Sequence, residues 1–99
     1  MPKPPPCPPQ VSPSNFGHTV MRWGSGKEPA IARKKTLTAA ELRHAGMTLD
    51  CARLWLDFYV EYIERKEAEG ADVEVLNPSA LGRAELMRYA CNLLQEYNP

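Results

Sequence analysis

The sequence predicts an all-α domain of three to four helices around a long central helix, 49–69, with an extended N-terminal arm. Three stretches carry that prediction. Residues 49–69 contain no Gly or Pro and lie between a capping residue, Thr48, and a terminating one, Gly70. Residues 78–96 repeat a helical apolar period behind an Asn-Pro start. Thr38-Ala39-Ala40-Glu41 is a capping box, and Gly46 closes the helix that it opens.

Ninety-nine residues permit one domain. The expected division is a proline-rich disordered tail over 1–13 and a single small α-helical domain over 14–99. The net charge is zero, but it is unevenly spread: residues 1–48 hold seven Lys/Arg against two Asp/Glu, and residues 49–76 hold three against eight. A dedicated nucleic-acid binder carries an overall basic excess, so a nucleic-acid partner is not expected. Instead, the basic half can fold onto the acidic half. No apolar run reaches the length of a membrane span, and the N-terminus lacks the apolar core of a signal peptide. Cys7, Cys51 and Cys91 show no CxxC spacing, so no metal site is expected. Cys51 and Cys91 read as small core residues in a reducing, cytoplasmic compartment.

In chain order, residues 1–13 include seven prolines, a composition that favours polyproline II and packs no core. Such a tail is also a possible ligand for a proline-binding domain. Over 15–26, Thr19, Met21 and Trp23 alternate with Val20 and Arg22, which predicts an extended segment anchored on the helices by Phe16, Val20 and Trp23. The following Gly-Ser-Gly-Lys is not a phosphate loop, because Met21 and Glu28 occupy positions that need Gly and Ser/Thr. Pro29 can open a short helix ending in Arg33, Lys34 and Lys35, three cations suited to a helix C-terminus on a solvated face.

At about 100° per residue, the apolar side chains of 49–69 cover all but roughly a third of the wheel. A helix apolar over so wide an arc should be surrounded by other elements. The remaining wedge holds Asp50, Arg53, Asp57, Glu61 and Glu64. Arg53 lies within reach of Asp57, and the wedge reads as an internally paired, solvated face. Helix, Gly46 turn, helix is also the order of a helix-turn-helix, but that acidic wedge repels phosphate. Residues 71–76 form a connection whose Val73, Val75 and Leu76 can fold back, and Asn77 caps the last helix.

Few residues suggest chemistry. His18 and His44 lie in different elements with no evident partner, and no Glu-x-x-His pair exists. Arg83 is the sharper signal, since it falls inside the apolar arc of the last helix, among Ala80, Met87, Ala90 and Leu94. A cation there needs a carboxylate or carbonyls, and Asp57 or Glu61 is expected to supply it. The candidate pocket is therefore Trp23, Trp55, Asp57, Tyr59 and Arg83, with catalysis unassigned and no cofactor expected.

Several runs resemble a small uncharacterised bacterial domain family found at the C-terminal ends of polymorphic toxins and type VI effectors. They are Phe16-Gly17, Trp23-Gly24-x-Gly26, Ala32-Arg33, Thr36-Leu37-Thr38, Ala45-Gly46-x-Thr48, Trp55-x-Asp57-Phe58-Tyr59 and Asn77-Pro78-Ser79-Ala80-x-Gly82-Arg83-Ala84-x-Leu86-Met87. Leu56 stands where that pattern has arginine, and the connection over 67–76 is longer. The resemblance implies a small effector-associated domain that meets another protein: a cognate immunity protein, an adaptor or a secretion component. It also implies delivery to another cell. A non-catalytic protein-interaction module is the alternative.

Overall fold

A computed structural model of the chain describes residues 4–5 and 11–96. Every regular element among them is helical. A single turn, α1 (Pro13–Asn15), runs directly into a π-helix (Phe16–Met21). Next come α2 (Glu28–Arg33), α3 (Ala39–His44), the long α4 (Leu49–Ala68), the short α5 (Val73–Leu76) and α6 (Pro78–Glu96). The all-α class and the long helix are as expected, with more short helices than the three or four foreseen.

The helix starts follow the local chemistry. Thr38 Oγ1 accepts from Glu41 N at 3.1 Å, and Thr48 Oγ1 accepts from Cys51 N at the same distance. Asn77 Oδ1 accepts from Ala80 N at 3.3 Å. Each side chain satisfies one of the amides that a helix start leaves without a partner.

The N-terminal arm departs from expectation, because it is wound rather than extended. Ser12 caps it by accepting from Asn15 N at 3.2 Å, and Thr19 Oγ1 donates to Asn15 O at 2.7 Å. In a π-helix the hydrogen bonds run from i to i+5. Phe16 and Met21, five residues apart, are both fully buried. The alternation of Thr19, Met21 and Trp23 looks like a strand, but burial follows that wider repeat. The expected anchors remain, with Phe16 and Trp23 buried and Val20 packed against the core.

α6 packs along α4 and also meets α2, α3 and α5. Its buried residues run from Ala80 through Leu86 and Met87 to Leu94. α4 is less enclosed than its wide apolar arc suggests: Cys51, Ala52, Trp55 and Tyr59 are buried, but Leu54 is 53 % exposed. Leu56, Phe58, Val60, Tyr62 and Ile63 are half-buried. α5 buries only Val73, leaving Val75 and Leu76 exposed.

Two further expectations change. Arg33 is not solvated: it is 6 % exposed and shares a face of α2 with buried Ala30, three residues earlier. Its Nη1 donates to Thr36 Oγ1 at 2.8 Å, and its Nη2 donates to Val20 O at 3.0 Å and to the Glu41 carboxylate. One guanidinium thereby ties α2 to the π-helix and α3. Cys51 is buried and disulfide-bonded rather than a free core thiol, while Cys91 is free and buried. Most of the expected tail also lies outside the described residues; within it, Pro4 is exposed and Pro5 is buried.

Arg33→Met should destabilise the domain by about 1–3 kcal/mol, because Val20 O loses its donor in the interior. Urea unfolding measures this, and a change below about 0.5 kcal/mol would mean that the guanidinium joins nothing together.

Candidate functional site

The site is built where the N-terminal arm meets α4 and α6. Arg22 ends the π-helix at φ 51°, and Gly24 and Gly26 follow at 53° and 85°. Left-handed backbone at a non-glycine residue costs roughly 1–2 kcal/mol, so other contacts must hold this turn. Two come from α6, four residues apart and on one face. Ser79 Oγ accepts from Gly26 N at 2.7 Å, and Arg83 Nη2 donates to Gly24 O at 2.9 Å. The Trp23-Gly24-Ser25-Gly26 run and the Ser79–Arg83 run are distant in sequence and joined in space.

The pinned turn drives Trp23 into the core. Its indole lies edge-on to Phe16 at 5.8 Å and to Tyr59 at 5.6 Å, and tilted to Trp55 at 5.7 Å. The Arg83 guanidinium lies over the same ring, 5.1 Å from its centroid. Gly17 makes the room: a Cβ there would stand 2.5 Å from Trp23 Nε1. Phe16 stacks on Trp55 at 4.8 Å, and Phe58 meets Tyr59 edge-on at 5.1 Å. Such ring pairs contribute about 0.5–1.5 kcal/mol each beyond burial.

Over this cluster runs a groove in two halves. The first, about 380 Å³, includes Gly17, His18, Trp23, Trp55, Tyr59 and Arg83 in its lining. The second, about 740 Å³, continues past Tyr62, Arg65, Lys66 and Asn77. Pro4, Phe58, Tyr59 and Arg83 belong to both. These volumes match those of small-molecule and peptide-side-chain sites.

Of the five residues expected to form a pocket, the structure brings Trp23, Trp55, Tyr59 and Arg83 together and leaves Asp57 out. Asp57 is exposed, and no ion pair among the described residues involves it or Glu61. The anticipated Arg83–Asp57 or Arg83–Glu61 pair is therefore absent. Arg83 instead turns toward the N-terminal arm, where a carbonyl and an indole face take its charge. Its Nε is buried with no hydrogen-bond partner. The expected Arg53–Asp57 pairing is missing as well, among the same described ion pairs. Sequence reasoning did not place Gly17, Phe58 or Tyr62 in the pocket; Gly17 and Phe58 stood only within the resembling runs, and Tyr62 carried no signal beyond its place on the apolar arc of α4.

The groove offers aromatic faces and a cation, with little acid–base chemistry. His18 is exposed on its lining, and no hydrogen bond among the described residues joins it to Ser14 or Ser25. His44 is exposed in α3, away from the groove. No group of three or more His, Cys, Asp or Glu among the described residues could hold a metal ion. Burial pushes the Cys91 thiol up, which makes it a poor nucleophile. Burial likewise pushes the Tyr59 phenol up, and the Arg83 charge opposes that rise.

The family described as "Domain of unknown function (DUF4951)" matches residues 2–94. The chain belongs to that family. No curated protein and no solved structure matches it. No described helix is long and apolar enough to cross a membrane.

Tyr59 gives a direct reading of the site's electrostatics. Its folded pKa lies above the ordinary tyrosine value, so the unfolded chain ionises first. Stability should therefore fall as pH rises above about 10, toward the folded pKa. Arg83→Met removes the opposing charge and should move the Tyr59 titration still higher, read by tyrosine NMR. An unchanged titration would separate the phenol from the guanidinium.

Proposed function

We propose that this domain is a non-catalytic protein-interaction module, whose groove takes an extended peptide segment of a protein partner. Its setting is the one that its motifs resemble, the C-terminal ends of bacterial polymorphic toxins and type VI effectors. There the partner is an immunity protein, an adaptor or a secretion component. One observation carries the reading. Two of the resembling runs, Trp23-Gly24-x-Gly26 and Asn77 to Met87, meet through Gly26–Ser79 and Gly24–Arg83 to build one aromatic, cationic groove.

The chemistry of that groove suits recognition. Tyr and Trp present large rigid surfaces at low entropic cost, and such residues with Arg dominate binding hot spots. Arg83, Arg65 and Asn77 can donate to the carbonyls of an extended chain, and the half-buried Phe58 and Tyr62 can take its apolar side chains. A nucleic-acid ligand fits poorly, because Asp50, Asp57, Glu61 and Glu64 form the exposed stripe of α4.

Expression of the full chain in the bacterial cytoplasm tests the absence of catalysis. An interaction module leaves growth at the level of an empty vector, with or without Arg83→Met. Growth arrest by the wild type, abolished by Arg83→Met with helicity retained in circular dichroism, would make the groove an active site.

A further inference from the structure

We propose that the groove selects an acidic peptide: the partner segment that it takes carries aspartate or glutamate side chains among apolar ones. The proposal rests on reading the groove as a peptide-binding site and adds the charge of the peptide. It starts from how charge is distributed. The chain has 12 Lys/Arg and 12 Asp/Glu, so an unbiased groove would hold both signs. Its lining holds Arg65, Lys66 and Arg83, and no Asp or Glu among the described residues. α4 does the sorting. At about 100° per residue, its groove-lining Trp55, Phe58, Tyr59, Tyr62, Arg65 and Lys66 share one side. Its exposed carboxylates, Asp50, Asp57, Glu61 and Glu64, fall on the opposite side.

These cations are positioned but little neutralised. Among the described ion pairs only Lys66 of the three has a carboxylate, Glu69 at 3.5 Å, which is exposed and outside the groove lining. Arg65 Cζ and Lys66 Nζ lie 5.7 and 5.9 Å from the centroid of the same ring, Tyr62. That ring is held in place, because Asn77 Nδ2 donates to its hydroxyl at 3.2 Å. Two like charges gathered on one ring repel each other. A carboxylate set between them offsets the repulsion and accepts from both. Arg83 belongs to both halves of the groove. It meets the Gly24 carbonyl and the Trp23 ring face, both neutral, so its charge stays uncompensated there.

The aromatic walls decide what carries the carboxylates. Half-buried Phe58 and Tyr62 offer ring surface beside the cations. Side chains of an extended peptide recur on one side at every second residue, so acidic and apolar ones can reach cations and rings in turn. A nucleic acid instead presents a continuous run of phosphates. Three cations would meet only a short piece of it, and the acidic stripe of α4 would oppose the rest.

The test selects binders of the full chain, with every cysteine left in place, from a displayed library of random peptides. The peptides are fused to their carrier at the C-terminus, so none offers a free terminal carboxylate. Selected peptides should be enriched in Asp and Glu at least about twofold over the starting library, and Arg65→Gln/Lys66→Gln should abolish the enrichment. The best of them, synthesised, should bind the wild type at least about tenfold more tightly than its Asn/Gln counterpart. That gap should narrow as salt is added. Arg65 is exposed, so Arg65→Gln alone serves should the double variant unfold, and it should narrow the same gap. Selected peptides without acidic bias, or an Asn/Gln counterpart that binds as tightly, would overturn the charge selection and leave the groove a peptide site. Acidic peptides that bind the double variant as tightly as the wild type would place them outside the groove and overturn the proposal. Tighter binding of a duplex oligonucleotide, lost in the same variant, would make a nucleic acid the ligand instead. A library that yields no binder at all would overturn both the proposal and the peptide reading on which it rests.

Discussion

The domain depends on how Trp23 is held. Its indole lies against Gly17, among Phe16, Trp55 and Tyr59, and beneath the Arg83 guanidinium. No helix supplies this residue, since it follows the left-handed Arg22 at the end of the π-helix. The turn beyond it is held to α6 by Ser79 and Arg83, so α6 fixes the arm and the arm completes the core. If Trp23 left its seat, Gly17 would lose its reason to be glycine and Arg83 would lose its ring. The apolar face shared by Phe16 and Trp55 would open to water. Arg83 thus has two roles at once, binding the turn through Gly24 O and bordering the groove.

Much of the fold was legible because helix ends are written locally. Thr38, Thr48 and Asn77 announce their helices by side-chain chemistry that works within three residues. Trp23, Trp55, Tyr59 and Arg83, which line one cavity, stand out in the sequence as large aromatics and as a charge placed inside an apolar arc. What could not be read depends on distance. Arg83's partner is a backbone carbonyl, and any residue can supply a carbonyl, so sequence favours the carboxylate of Asp57 instead. Arg33 looked solvated because Lys34 and Lys35 follow it; only the packing of Ala30 shows which face of α2 turns inward. The arm was misread because a short π-helix has no composition of its own, and five-residue spacing looks like alternation when Thr19, Met21 and Trp23 are taken alone.

The burial of Pro5 alters how the N-terminal segment is understood. Composition alone marks the first residues as a tail. The structure puts at least one of their prolines inside the domain and another on the wall of its groove.

The most direct measurement of this account is a double-mutant cycle between Trp23 and Arg83. Trp23→Leu and Arg83→Met, alone and together, should give a coupling of about 1–2 kcal/mol in urea unfolding, as a partly desolvated cation over an indole requires. Effects that add within about 0.5 kcal/mol would show that the ring and the guanidinium are independent, and the seat of Trp23 would not be what holds the arm to α6.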